Sequence, residues 1–312
     1  MITEKMDLNR HIESIRKRMD LIPGLIIDNF GLSSHLGEKL SPGCRACKDN
    51  KWTVVFIGNA CNCKCYFCPQ THAKPVLGSK ADNNGIVFTS YDSDYFLHLL
   101  IRIKNAAAKK SLLAIGYGGG EPLLYIERIK QYAREITALN SGLYQYVYTN
   151  GKLVTKSIIQ ELREVGIQEV RFNLAATDFS QGIINKMERA RKIIPFLTIE
   201  IPVLKDTVQK LRKNIERFID IGVDQICLSE VIINSHNERY FKDEPCYSAA
   251  PISLEDIKSG KKGVPDILRQ QRYPIWSRNV TYDVMEIAAK EKWPIVINDC
   301  SMLNHIKPHE LY

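Results

Sequence analysis

The chain has 312 residues, 45% hydrophobic and 25% charged, with a net charge of +8 and nine cysteines. No apolar run approaches the ~18 residues of a membrane helix. The charged N-terminus lacks the apolar core of a signal peptide, so a cytoplasmic protein is expected. An odd number of clustered cysteines suits metal ligation in a reducing compartment better than disulfides. The positive charge would suit an anionic substrate, a tRNA or an acidic peptide. A plain solvated surface explains it better, because Lys109-Lys110 and Lys261-Lys262 are isolated pairs rather than a block.

In chain order, residues 7–20 carry Ile12, Ile15 and Met19 at helical spacing and predict an amphipathic helix. Residues 22–42 read as loop, with Pro23, Gly24, Gly31 and Pro42. Cys44 and Cys47 follow. The apolar run 53–57 predicts a buried strand, and after it Cys61, Cys63, Cys65 and Cys68 crowd into eight residues. Residues 92–110 predict a helix with Phe96, Leu99, Leu100, Ile103 and Ala107 on one face. The strand 112–115 then runs into Gly116-Tyr117-Gly118-Gly119-Gly120-Glu121-Pro122.

A helix marked by Ile126, Ile129, Ala133 and Ile136 leads to a strand at 144–148, ending in Thr149-Asn150-Gly151. A helix at 155–165 stops at Gly166, as helices often do. Strands at 169–174, 197–204 and 225–233 alternate with helices at 181–194 and 208–219, the latter closed by Gly222. Six strands alternating with helices predict βα units and a parallel α/β sheet. Periodicity alone leaves an open doubly wound sheet and a curved, incomplete barrel as alternatives. Residues 236–279 break the pattern, with a short helix at 254–258. A helix at 280–292 and a strand at 294–298 lead into Cys300. The expected organisation is an N-terminal extension at 1–50, a βα unit at 51–235, and a C-terminal extension at 236–312 too small to fold alone.

The chemistry concentrates in the cysteine loop. Cys61, Cys65 and Cys68 have the spacing C-x3-C-x2-C. Three thiolates on one loop can hold three corners of a cubane cluster and leave one iron open, whereas a closed electron-transfer cluster takes four. Four close thiols can also close a structural zinc site, although zinc modules usually split their ligands between two separate knuckles. Cys63 fits neither scheme well.

With Phe67 before the last cysteine, the words Cys65-Tyr66-Phe67-Cys68-Pro69 and Gly118-Gly119-Gly120-Glu121-Pro122-Leu123 resemble those of the radical S-adenosylmethionine (SAM) superfamily. Gly43-Cys44-Arg45-Ala46-Cys47 and the late Cys300-Ser301 resemble a branch related to pyruvate formate-lyase activating enzyme. The resemblance covers about residues 43–302. It implies a partial (β/α)6 TIM-like barrel, a [4Fe-4S] cluster on Cys61, Cys65 and Cys68, and SAM at the open iron. It also implies an electron donor of flavodoxin or ferredoxin type. Gly118, Gly119, Gly120, Glu121 and Pro122 would line the methionine end of SAM, with Glu121 fixing the loop and Phe67 beside the cluster. Thr149, Asn150, Asn173 and Glu200 are polar residues in or at the ends of apolar strands, costly unless partnered. They read either as hydrogen-bonding groups for SAM or substrate or, for Thr149-Asn150-Gly151, as a satisfied turn. Glu230 and Asn234 are weaker candidates.

Cys44 and Cys47 form a C-x2-C pair, and with Cys246 and Cys300 they would supply four thiolates to an auxiliary site. A second [4Fe-4S] cluster comes first there, zinc second, and buried free thiols are the plain alternative. Cys227 reads as a core residue. Should Cys246 be no ligand, it becomes a candidate hydrogen-atom donor to a substrate radical. The expected substrate is a peptide or protein, with a small metabolite close behind and a tRNA base further off. The reading of another class is a non-catalytic zinc or nucleic-acid-binding protein.

Overall fold

The computed structural model describes residues 8–28, 33–70, 93–139, 142–248 and 271–301. Helix α1 (Leu8–Met19) is followed by strands β1 (Leu25–Asp28) and β2 (Ser33–Leu36), helix α2 (Pro42–Lys48) and strand β3 (Trp52–Gly58). The alternating part runs α3 (Ser93–Ala108), β4 (Ala114–Gly119), α4 (Ile126–Leu139), β5 (Tyr144–Thr149), α5 (Lys156–Glu164), β6 (Glu169–Phe172), α6 (Gln181–Arg191), β7 (Phe196–Pro202), α7 (Thr207–Ile221) and β8 (Gln225–Ser229). A two-stranded antiparallel sheet of β9 (Cys246–Ser248) and β10 (Arg272–Pro274), helix α8 (Ile275–Glu291) and β11 (Val296–Cys300) complete it.

Nine strands form one sheet in the order β1-β2-β11-β8-β7-β6-β5-β4-β3. The pairs from β3 to β8 are all parallel, as the six βα units predict. The fold is α/β, a partial TIM-like barrel. Two expectations need correction. The strand near the C-terminus does not merely pack on the barrel: β11 pairs in parallel with β8 as a seventh strand, Val296 opposite Gln225 and Cys300 opposite Ser229. Residues 22–42 are not all loop either. β1 and β2 pair antiparallel, and β2 pairs with β11 at Leu36–Ile297 and His35–Asn298. Four-residue strands with little alternation, beside Pro23 and Gly24, leave almost no periodic signal. The short helix expected at 254–258 lies outside the described residues.

Side chains alternate across each strand. One set, including Val55, Ile57, Ile115, Tyr117, Val147, Val170, Phe172, Leu197, Ile199, Ile226, Leu228 and Ile297, is buried under the surrounding helices in one continuous core. Each such side chain contributes roughly 1.5–3 kcal/mol by leaving water. The other set faces the barrel interior. There Val54, Phe56, Tyr148, Glu200, Pro202, Ser229 and Cys300 keep some exposure, whereas Ala114, Glu169, Thr198 and Gln225, near the strand starts, are buried. The interior is therefore a chamber, open towards the strand ends and filled at the strand starts.

Helix α2 fills that floor. Its start is set by Ser41, whose hydroxyl accepts from the Cys44 N–H, and by Pro42 at the first position. Ser41 also donates to Glu169 at 2.8 Å, and its backbone N–H donates to Gln225 at 2.8 Å. Gly43 has no room for a side chain: a Cβ there would lie 2.7 Å from Arg171 Nη2 and 2.9 Å from the Tyr146 ring.

Candidate active site

The cysteine loop leaves the C-terminal end of β3, where ligands of parallel α/β folds gather. Its root is clasped by the glycine-rich word. Gly120 N–H donates to Gly58 O at 2.8 Å and Glu121 N–H to Ala60 O at 2.8 Å, while Ala60 N–H donates to the Tyr125 hydroxyl at 3.0 Å. A Cβ on Gly119 (φ +139°) or Gly120 would strike the carbonyls of Gly58, Asn59 and Ala60. These two glycines are thus required by backbone meeting backbone, whatever ligand lies above them.

Beyond the root, Cys61, Cys65 and Cys68 are partly exposed and Cys63 is buried. Cys61 Sγ accepts from the Cys63 N–H at 3.4 Å and lies 3.9 Å from Asn150 Nδ2. Burial pushes the free thiols of Cys61, Cys65 and Cys68 up, Cys65 to about 12 with neighbouring thiols adding to the effect. These groups become thiolates when a metal supplies positive charge. Phe67 is buried against Leu204, Val231, Ile233 and Phe241. The loop's far side is held by amides after β8: Asn237 Nδ2 donates to Phe67 O at 3.0 Å and Asn234 Nδ2 to Pro69 O at 2.7 Å.

Glu121 joins two strand ends. Its carboxylate accepts from Thr149 Oγ1 at 2.7 Å, Asn150 N at 2.7 Å and Leu123 N at 3.2 Å. Burial raises its pKa, and those three donors pull the other way. Asn150 Nδ2 in turn donates to Asn62 Oδ1 at 2.7 Å, tying the end of β5 to the cysteine loop. Thr149 and Asn150 therefore already have protein partners. Asn173 accepts from the Ala176 N–H at 3.1 Å and caps a short 3-10 turn, Leu174–Thr177.

Glu200 is half-buried and already has a protein partner. It accepts from Arg171 Nη1 at 2.8 Å, while Arg171 Nε donates to Glu169 at 2.9 Å and the guanidinium lies 3.9 Å over the Tyr146 ring. Arg171 is the residue that sequence reasoning passed over. Its signal was a lone cation inside the apolar strand Val170-Arg171-Phe172. Glu230 accepts from the Tyr247 hydroxyl in a very short hydrogen bond.

The thiols expected at a second site divide. Cys44 is buried with its Sγ 3.5 Å from Cys227 Sγ, and Cys300 packs against the cluster that these two form with Leu40 and Val296. Cys47 is one helical turn from Cys44 and within electrostatic reach of Cys44 and Cys300. Cys246 is elsewhere: it packs beside Phe67 and Phe241, donates to Glu244 O at 3.2 Å, and has Arg272 and Glu244 as its charged neighbours. Cys227, expected as a core residue, is fully buried and packs beside Cys44. Among the described residues no three His, Cys, Asp or Glu side chains already close around one ion, and that includes Cys61, Cys65 and Cys68. The corners of a cubane cluster need no such closure, because each thiolate binds a different iron. The Cys61 loop offers what a cluster with one open iron requires: three partly exposed thiols at a strand end, on a loop braced from both sides.

A family model described as the radical SAM superfamily matches residues 55–243. An inferred glycyl-radical enzyme activating enzyme of Methanocaldococcus jannaschii is 24% identical over 234 residues, 70% of this chain and 59% of its own length. The tungsten-containing aldehyde ferredoxin oxidoreductase cofactor-modifying protein of Pyrococcus furiosus is 25% identical over 201 residues, 58% of this chain and 52% of its own length. The chain thus spans between about half and three fifths of these relatives. In fold it is similar to SuiB of Streptococcus suis bound to S-adenosylmethionine, with a TM-score of 0.52 and 14% identity, covering 83% of this chain and 53% of that one. No helix among the described residues is long and apolar enough to cross a membrane. The match runs from within β3 past β8, across the cysteine loop and the ends of β4 to β8, and on that extent the chain belongs to the radical SAM superfamily.

Proposed function

We propose that this enzyme binds a [4Fe-4S] cluster on Cys61, Cys65 and Cys68 and uses it, with SAM, to abstract a hydrogen atom from a peptide or protein. The observation that carries the reading is the position of the C-x3-C-x2-C loop at the mouth of the chamber, pinned to β4 and β5 through Glu121 and Asn150. The cluster and SAM, when bound, supply the electron and the 5′-deoxyadenosyl radical. The chain's own residues hold the loop still and wall the chamber. Gly118 to Pro122 provide backbone at the strand end where SAM would lie. Thr149, Asn150 and Asn173 border the same rim. An electron donor of the flavodoxin or ferredoxin type would reach the exposed side of the loop at Lys64 and Tyr66, both solvent-exposed.

The peptide or protein target rests on the name of the Methanocaldococcus relative, an activating enzyme. The second reading is a small molecule held within the chamber. It is favoured by the floor that α2 closes and by the Pyrococcus relative, whose name refers to modifying a cofactor.

Anaerobic protein supplied with SAM and reductant is expected to form 5′-deoxyadenosine, and the triple variant Cys61→Ala, Cys65→Ala, Cys68→Ala to form none. Retention of SAM cleavage in that variant would refute the cluster assignment. Deuterium passing into 5′-deoxyadenosine from labelled peptides or proteins supports the first substrate reading. Transfer solely from labelled metabolites replaces it with the second.

A further inference from the structure

Four thiols from three elements distant in sequence gather at the chamber floor and on the wall above it, where Cys300 ends β11. Helix α2 contributes Cys44 and Cys47, β8 contributes Cys227 and β11 contributes Cys300. Cys44 and Cys227 are in sulfur–sulfur contact at 3.5 Å, Cys300 packs against the cluster that contains them, and Cys47 lies on the helix three residues from Cys44, a spacing that puts both on one face. We propose that these four cysteines ligate a second, thiophilic metal centre on the chamber floor, with Cys227 and not Cys246 as the fourth ligand.

Cys44 and Cys227 are buried with Leu40 and Val296, and polar side chains reach their sulfurs there. Gln225 Nε2 donates to Cys44 Sγ at 3.1 Å and to Cys227 Sγ at 2.8 Å, and Asn298 Nδ2 approaches Cys227 Sγ at 3.6 Å. Amide donors aimed at sulfur are the outer layer that orients and tunes metal-bound thiolates. Gln225 is itself oriented by the Ser41 N–H, so the donor faces the sulfurs in a fixed pose. The Arg171 guanidinium is within electrostatic reach of Cys44, Cys47, Cys227 and Cys300, and so is the Glu200 carboxylate that pairs with it. Each ligating thiol gives its proton to solvent as its sulfur–metal bond forms. Closure on a metal needs rotation about χ1 of individual cysteines, a change between ordinary staggered wells. Four thiolates suit zinc or an iron–sulfur cluster and disfavour hard cations.

The assignment is independent of SAM chemistry, so it is tested without it. The folded Cys61→Ala, Cys65→Ala, Cys68→Ala protein, prepared anaerobically, is analysed for iron, sulfide and zinc. It is expected to retain either one zinc, or iron with matching sulfide, per chain. Adding Cys300→Ser or Cys227→Ala should remove that metal, and adding Cys246→Ala should leave it. A folded, metal-free triple variant overturns the proposal without any further substitution. Loss of metal with Cys246→Ala but not with Cys227→Ala overturns the ligand set.

Discussion

Glu121 shows how much one buried side chain can organise. Its two oxygens serve three donors from two strand ends, and through Asn150 the same connection extends to Asn62 in the cysteine loop. Removing a buried charged acceptor leaves its donors without partners, and hydrogen bonds to charged groups are worth about 1.5–3 kcal/mol each. Glu121→Ala is therefore expected to lower unfolding stability by about 2–4 kcal/mol, read as a shift in the urea midpoint. Glu121→Gln, which keeps one acceptor oxygen and supplies a new donor, should fall between the two. The importance of Glu121 was legible because the Gly-Gly-Gly-Glu-Pro word follows a strand. The partners were not, since nothing in a linear string says that Thr149 and Asn150 come back to the same carboxylate. Glu200 illustrates the opposite case. A lone acid in an apolar strand reads equally well as a ligand-binding group or as one half of a buried ion pair, and only the register of β6 beside β7 puts Arg171 next to it.

At the scale of elements, helix α2 is the most constrained piece. It has seven residues, too few to be stable alone in water. Contacts with the strands around it keep it folded. Gly43 is the point of closest approach, between the Tyr146 ring and the Arg171 guanidinium. Overpacking a filled interior costs typically 1–3 kcal/mol. Gly43→Ala is expected to destabilise the protein by about that amount, measured as a lowered thermal midpoint. An unchanged midpoint would mean that α2 is looser than its contacts indicate. Helices α5 and α7, by contrast, were readable almost to their ends, whereas α8 begins five residues before the expected 280. In α5, Thr155 caps the first turn by accepting from the Ile158 N–H at 3.2 Å, and Gly166 follows the last at φ +100°. In α7 the chain leaves the helix at Gly222 with φ +78°. These signals are local, and local signals survive in sequence. The role of α2 depends on six strands closing around it, and that information is spread over the whole chain.

For the molecule as a whole, the parallel sheet from β3 to β8 was visible in the βα rhythm, and the two ends of the chain were not. The long interruption after β8 conceals that β11 is one more strand of the same sheet, reached by the crossover through α8. β11 also carries β2, and through it β1. Removing residues from 293 onward would leave β8 as an open edge and β2 without its inner neighbour. Loss of a cooperative unfolding transition is expected for that truncation, followed by circular dichroism. A truncated protein that unfolds cooperatively with the full-length midpoint would show that β11 adds nothing to the barrel. The same connectivity imposes an order of assembly. A ribosome delivers β1, β2 and α2 long before β11 exists, so the early hairpin must wait, unpaired on its inner side, until nearly all of the described chain has been made. Pairing of β2 with β11 is a late, long-range event, of the kind that slows folding and leaves an unpaired edge exposed to aggregation until it forms.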